Sequence, residues 1–258
     1  MWVIAVFHQV SLFSLKPSDV TSTGGRSLLI PTPFSIKMAL LDVALRNYGV
    51  RAGAKHFSQL RDLTIAMSPP QQIIVNNCFV RIQKLRRPKS YQGGKNRADD
   101  ESEVEMEQEA DDEGKEPYIH SVAFREYVQY SGPLGLALQV ETQQAAEQLA
   151  LLWPQVNYFG KRGSFFQIDG PPVIQNYLPI QQGYLRLDEE REAAAILPGY
   201  TLQVLDDFST KLTFDQVNIY SGISLKVGRD RIVRLVQLPY RVIRSSHGFT
   251  LYQRTDQR

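Results

Sequence analysis

Residues 71–85 read "QQIIVNNCFVRIQKL", and residues 117–130 read "PYIHSVAFREYVQY". Both runs are rich in β-branched and aromatic residues, so the first reads as a long strand and the second as its return partner. Between them lie a basic stretch, "RIQKLRRPKSYQGGKNR" at 81–97, and an acidic block, "DDESEVEMEQEADDEGKE" at 99–116. Two strands joined by so long and polar an excursion describe a hairpin that projects beyond a sheet, with a tip too polar to pack.

Working outward from that hairpin, the chain divides into alternating elements. "MWVIAVFHQV" at the N-terminus reads as a first strand rather than a leader, because it lacks a basic start and His8 and Gln9 interrupt it. After a loop rich in glycine and proline, Thr32 can cap a helix that has Pro33 at its first position. Ile36, Leu40, Val43 and Ala44 recur along it at helical spacing. A shorter helix through "AKHFSQLRDLT" is expected up to Pro69. Beyond the hairpin come the strand "LGLALQV" and the helix "TQQAAEQLALLW". Thr142 is its cap, Ala145, Ala146, Leu149, Ala150 and Trp153 share one face, and Pro154 is its stop. With "FFQIDG" as the last member, the order is strand, helix, strand, strand, helix, strand. That is the ferredoxin-like βαββαβ pattern of an α+β protein, shared with RNA-recognition motifs. Residues 1–180 are thus expected to form an RRM-like domain with 81–130 as an inserted hairpin thumb. Residues 181–258 form a β-rich C-terminal extension through "YTLQVLDD", "LTFDQVNIY", "GISLKVG", "DRIVRLVQLPYRVIRSS" and "FTLYQR".

The bulk properties narrow the function classes. At 258 residues and 43% hydrophobic, the chain can bury a sizeable core. One cysteine, Cys78, excludes an internal disulfide and suits a reducing cytoplasm, and no apolar run approaches the length needed to cross a bilayer. The formal charge of +2 hides a segregation. Residues 99–116 hold eleven acidic residues and one lysine, which leaves 28 basic against 16 acidic residues elsewhere. The body is therefore basic and favours phosphate-rich partners, while the acidic block reads as a solvated, disordered loop.

Enzymatic motifs are mostly missing. Gly160-Lys161-Arg162-Gly163-Ser164 lacks Walker spacing, and the four histidines, His8, His56, His120 and His247, show no paired ligand spacing, so neither cofactor nor metal is expected. His120 beside Tyr118 and Lys115 leaves one alternative, a metal-independent endoribonuclease. Nucleic-acid binding has more support. The stretch 81–97 carries Arg81, Lys84, Arg86, Arg87 and Lys89 with no carboxylate and with Tyr91 among them. On the return strand Arg125 and Tyr127 share one face. In "NYFGKRGSFF" at 157–166, Lys161 and Arg162 sit between two glycines, and Tyr158 and Phe165 can bracket a base; one of Phe165 and Phe166 must face the core. The helix start "IPTPFSIK" adds an anion site with Ser35 and Lys37, and Arg26 lies in the loop before it. Together these outline one RNA-binding surface.

Three of these stretches also carry a family resemblance. "LLIPTPFSIKMALLDVAL" resembles the proline-rich loop and first helix of a CRISPR-associated family, the fifth of the numbered set, among the RAMP proteins of type I effector complexes. "FREYV" resembles its second motif and "NYFGKRGSFF" its aromatic-glycine-basic loop, in the family's order and over about a third of the chain. The resemblance implies an RRM-like subunit with a β-hairpin thumb that binds the 5′ handle of a guide crRNA at one end of a Cascade complex. One branch of the family also cuts precursor RNA with a Tyr, Lys and His set, which this chain does not visibly reproduce, so catalysis is not expected. Its partners would be the repeated backbone subunit and the large subunit, and it would meet target DNA only through the assembly. Carried over by motif, Ser35, Lys37, Arg125, Tyr127, Tyr158, Lys161 and Arg162 become its guide contacts.

Overall fold

The computed structural model describes residues 1–18, 25–85, 117–188 and 197–255. Twelve strands and four α-helices are present in these residues: β1 (Trp2–Gln9), α1 (Pro33–Lys55), α2 (Phe57–Arg61), β2 (Thr64–Ser68), β3 (Gln72–Leu85), β4 (Tyr118–Ser131), β5 (Leu134–Gln139), α3 (Gln143–Leu152), β6 (Phe166–Ile168), β7 (Val173–Gln175), β8 (Leu185–Arg186), β9 (Thr201–Phe208), α4 (Phe214–Val217), β10 (Arg231–Leu238), β11 (Tyr240–Ser245) and β12 (Phe249–Arg254). All strand pairings between them are antiparallel, and the fold is α+β.

The first sheet has the order β6-β1-β5-β2-β8, with β7 also on β1. Strand alternation gives β1 two working faces. Val3, Ala5 and Phe7 point into the main core with Ile36, Leu40 and Val43 of α1 and Ala146 and Leu149 of α3. Both helices begin where the sequence places their caps: the Thr32 hydroxyl accepts from the Ser35 amide at 3.1 Å and the Thr142 hydroxyl from Ala145 at 3.2 Å. Trp2 and Ile4 point the other way and form a smaller cluster with Ala66, Ala137 and Tyr184, against which Leu178 packs. That second face is thereby covered by the chain's own segment 178–184.

The hairpin is built as expected but does not supply the central strands of this sheet. β3 and β4 pair over their whole length, Gln72 opposite Ser131 and Leu85 opposite Tyr118. They belong to a separate four-stranded sheet of order β11-β12-β3-β4. The strand beside β5 in the first sheet is β2, where the sequence predicts a helix up to Pro69. Five residues before a Pro-Pro pair are too few to show a period, and burial between β5 and β8 decides their conformation. Within the C-terminal strands, "LTFDQVNIY" departs from expectation. Thr213 and Gln216 form a reciprocal capping box, which starts the short helix α4 in place of a strand. "GISLKVG" forms only the single bridge Val227 to Arg231.

Candidate nucleic-acid interface

The stretch "NYFGKRGSFF" is a tight hairpin. Tyr158 bridges Phe165, the Phe166 amide donates to Asn157 O at 2.9 Å and the Ser164 amide to Lys161 O at 3.1 Å. Gly160 at φ 74° and Gly163 at φ 103° supply left-handed turns that side chains rarely adopt. A Cβ on Gly160 would also lie 2.7 Å from Leu15. The segment after β1 holds the hairpin in place. The Phe165 amide donates to Ser11 Oγ at 2.7 Å, Ser11 Oγ donates to Gly163 O, and the Val10 amide donates to Phe165 O at 2.9 Å.

This anchoring sorts the aromatic residues. Phe159 and Phe166 face inward, with ring centroids 5.1 Å apart and Phe166 also against Phe13 and Tyr130. Phe165 is 46% exposed, opposite the half-buried Tyr158. Lys161 and Arg162 are exposed at the tip, and among the described residues neither is in an ion pair. Beside the tip opens a cavity of about 350 Å³ that Tyr158 and Arg162 line together with Met38, Asp42 and Tyr220 of neighbouring elements. Two unpaired cations and two outward rings on a rigid turn can hold phosphates and base faces at once.

The other expected contacts are not all brought to this surface. Ser35 and Lys37 are buried, and their polar atoms are used internally. Ser35 Oγ donates to Thr32 O at 2.8 Å. Lys37 Nζ donates to Arg61 O at 2.8 Å and pairs with Asp207 at 2.7 Å, where Arg234 Nη1 also reaches Asp207 at 3.0 Å. Desolvation lowers the Lys37 ammonium's affinity for its proton, and Asp207 opposes that loss. Ser35 lines the cavity beside the tip with Tyr158 and Arg162, whereas Lys37, expected at the RNA surface, is 2% exposed and ties α1 to β9. The reason is sequence distance, since Asp207 lies 170 residues away and no local pattern announces it.

Arg125 and Tyr127 do share a face, half-buried, on β4. That face looks away from the one on which Arg81, exposed opposite Val122, is carried. Arg26 is exposed in the segment that runs along the edge of β4, where the Glu126 amide donates to Gly25 O at 2.7 Å. The expected single surface is thus divided. Lys84 belongs to β3. Arg86, Arg87, Lys89 and the acidic block 99–116 lie outside the described residues. RRM modules stack bases on the open face of the sheet. In this chain the face of the first sheet turned away from α1 and α3 is closed: Gly135 leaves room for the Tyr184 hydroxyl, which a Cβ would approach to 2.4 Å, and burial raises the Tyr184 phenol to about 12. Among the described residues no three His, Cys, Asp or Glu side chains are placed to hold a metal, and no helix is long and apolar enough to cross a membrane.

Comparison with known proteins gives the following. No protein-family model matches the chain. Two solved structures are similar to it at low identity. One is a crystal structure of a CRISPR protein from Archaeoglobus fulgidus, 10% identical over 98% of this chain and 92% of that chain, with a TM-score of 0.41. The other is from a CRISPR RNA-guided surveillance complex, 11% identical over 92% of this chain and 90% of that chain, with a TM-score of 0.43. A curated protein of Archaeoglobus fulgidus, the CRISPR-associated protein Cas5, is 27% identical over 225 residues, 86% of each chain. Over most of its length the chain is therefore similar to a Cas5 protein, the fifth numbered CRISPR-associated family that its three motifs resemble.

Proposed function

We propose that the chain is an RNA-binding subunit of a type I CRISPR effector complex, which holds the 5′ handle of the guide crRNA and caps one end of a cytoplasmic assembly. The observation that carries this reading is the anchored hairpin 157–166, whose tip leaves Lys161 and Arg162 free of ion pairs among the described residues beside the outward rings of Tyr158 and Phe165. Similarity to a Cas5 protein over 86% of the chain supports the setting. The sheet order β6-β1-β5-β2 supports a ferredoxin-like, RRM-like core with the hairpin β3-β4 inserted as a thumb. In that core the closed second face moves RNA contact from the sheet to the loops. The repeated backbone subunit and the large subunit are the expected protein partners, and target DNA is met through the assembly.

We further propose that the chain is not a nuclease. His120 lies on β4 across from Gln83, and the hairpin sets it apart from the loop at 157–166. Repeat RNA incubated with the chain should stay intact in chelator and in Mg²⁺. Specific cleavage lost in a His120→Ala variant would contradict this. For the main reading, the RNA that co-purifies with the chain in its assembled complex is sequenced. Reads that begin with one constant segment are expected, and an assembly that forms without RNA or with RNA of random ends would overturn the proposal.

A further inference from the structure

The four-stranded sheet has two faces. One continues the core: Ile73, Val75, Val128 and Tyr130 are buried in it. The other carries the alternate residues and is not part of either hydrophobic cluster. Register places the residues of this outer face in rows. Tyr127 of β4 stands opposite Asn76 of β3, which stands opposite Phe249 of β12. One row further along, Gln129, Ile74, Leu251 and Arg244 follow, and Arg241 stands opposite Gln253 in the row after that. Side-chain contacts agree with this assignment. The Arg244 guanidinium lies 5.7 Å from the Phe249 ring, and Gln72 Nε2 donates to Gln253 Oε1 at 2.6 Å.

Its chemistry is one-sided. Arg125, Arg241 and Arg244 are on or beside this face. The four strands contain one carboxylate, Glu126, which lies on the opposite face and accepts the Ser27 amide at 2.8 Å. The turn that carries Phe249 is tied down: the Asn77 amide donates to Gly248 O at 2.9 Å and Asn77 Nδ2 to His247 O at 3.0 Å. Adjacent strands are about 4.8 Å apart, so Tyr127 and Phe249, two strands apart, stand roughly 10 Å from each other. That is too far to sandwich one base but allows each ring to take its own.

We propose that this outer face is a second platform for single-stranded RNA, in which Tyr127 and Phe249 each stack a base and Arg125, Arg241 and Arg244 meet the phosphates. The inference rests on the RNA-binding reading of the chain and extends it to β11 and β12. Cations that make no ion pair among the described residues, beside two separate rings, favour a polyanion with π-faces over an apolar protein partner.

The test uses the full chain and fluorescein-labelled 12-nucleotide oligoadenylate. Phe249→Ala and Tyr127→Ala should each weaken binding by roughly 5- to 150-fold, the range a lost stacked base implies, with little change in salt dependence. Phe249→Tyr should restore it. Arg241→Ala with Arg244→Ala should reduce the log–log salt slope by about 1.4, since each single-strand phosphate contact contributes about 0.7. Ultraviolet crosslinking of the wild type should attach nucleotide to Phe249 or Tyr127, which keeps the test decisive if a variant fails to fold. If the face variants and crosslinking show nothing while Lys161→Ala with Arg162→Ala weakens binding, the platform is refuted and the loop reading stands. Face variants that bind RNA normally but fail to assemble with partner subunits would make the face a protein contact and refute the proposal. A wild-type chain that binds no RNA would refute both readings.

Discussion

Lys37 shows how a side chain's environment overrides its local pattern. In the sequence it sits in the first turn of a capped helix, where a cation next to free amides suggests an anion site. In the structure its ammonium is spent on Asp207 and the Arg61 carbonyl. Replacing it with methionine would leave Asp207 with Arg234 as its remaining counter-charge. Lys37→Met should lower stability by about 3 kcal/mol, the low end for breaking a buried pair, measured by denaturant unfolding. The salt slope of RNA binding should stay unchanged. Because burial lowers the folded-state pKa below the usual 10.5, the folded chain holds this proton less tightly than the unfolded one. Wild-type stability relative to Lys37→Met should therefore rise as pH climbs through the window below 10.5, and a fall there would contradict the assignment. Tyr158→Ala tests the opposite kind of residue. It should weaken RNA binding by about 1–3 kcal/mol with little change in salt slope, read from a salt titration.

At the scale of elements, legibility followed period and length. The hairpin strands, α1 and α3 announce themselves through alternation, heptad-like spacing and threonine caps, and all four are present. β2 is five residues long and hides behind a helix, so only its pairing with β5 reveals it. α4 lies in "LTFDQVNIY", a stretch that reads as part of the β-rich extension, whereas its capping box determines the conformation. The turn at 157–166 was legible from its glycines, but the choice between Phe165 and Phe166 needed the bridge from Tyr158. Two substitutions check how the elements are joined. Gly135→Ala should destabilise by about 1–3 kcal/mol, because its Cβ would meet the Tyr184 hydroxyl that closes the first sheet. Arg254, buried at the end of β12, donates to Pro69 O at 2.7 Å and Gly183 O at 2.6 Å. Its replacement by alanine should cost about 3 kcal/mol in the same unfolding assay, since those carbonyls would lose charged donors.

Across the whole molecule, the C-terminal strands complete what the first part begins. β8 adds to the first sheet and β12 lies against β3 in the second. Basic character is carried outward to separate places, the tip at Lys161 and Arg162 and the outer face of the second sheet, while helices and the 178–184 segment close both sides of the first sheet. The central claim is that the tip holds phosphates. Its most direct measurement is the salt dependence of binding to single-stranded CRISPR repeat RNA by the wild type and by Lys161→Ala with Arg162→Ala. Loss of two phosphate contacts should weaken binding at moderate salt and reduce the log–log slope by about 1.4, with the melting transition unchanged. A folded double variant that binds as tightly as the wild type, with the same slope, would contradict the account.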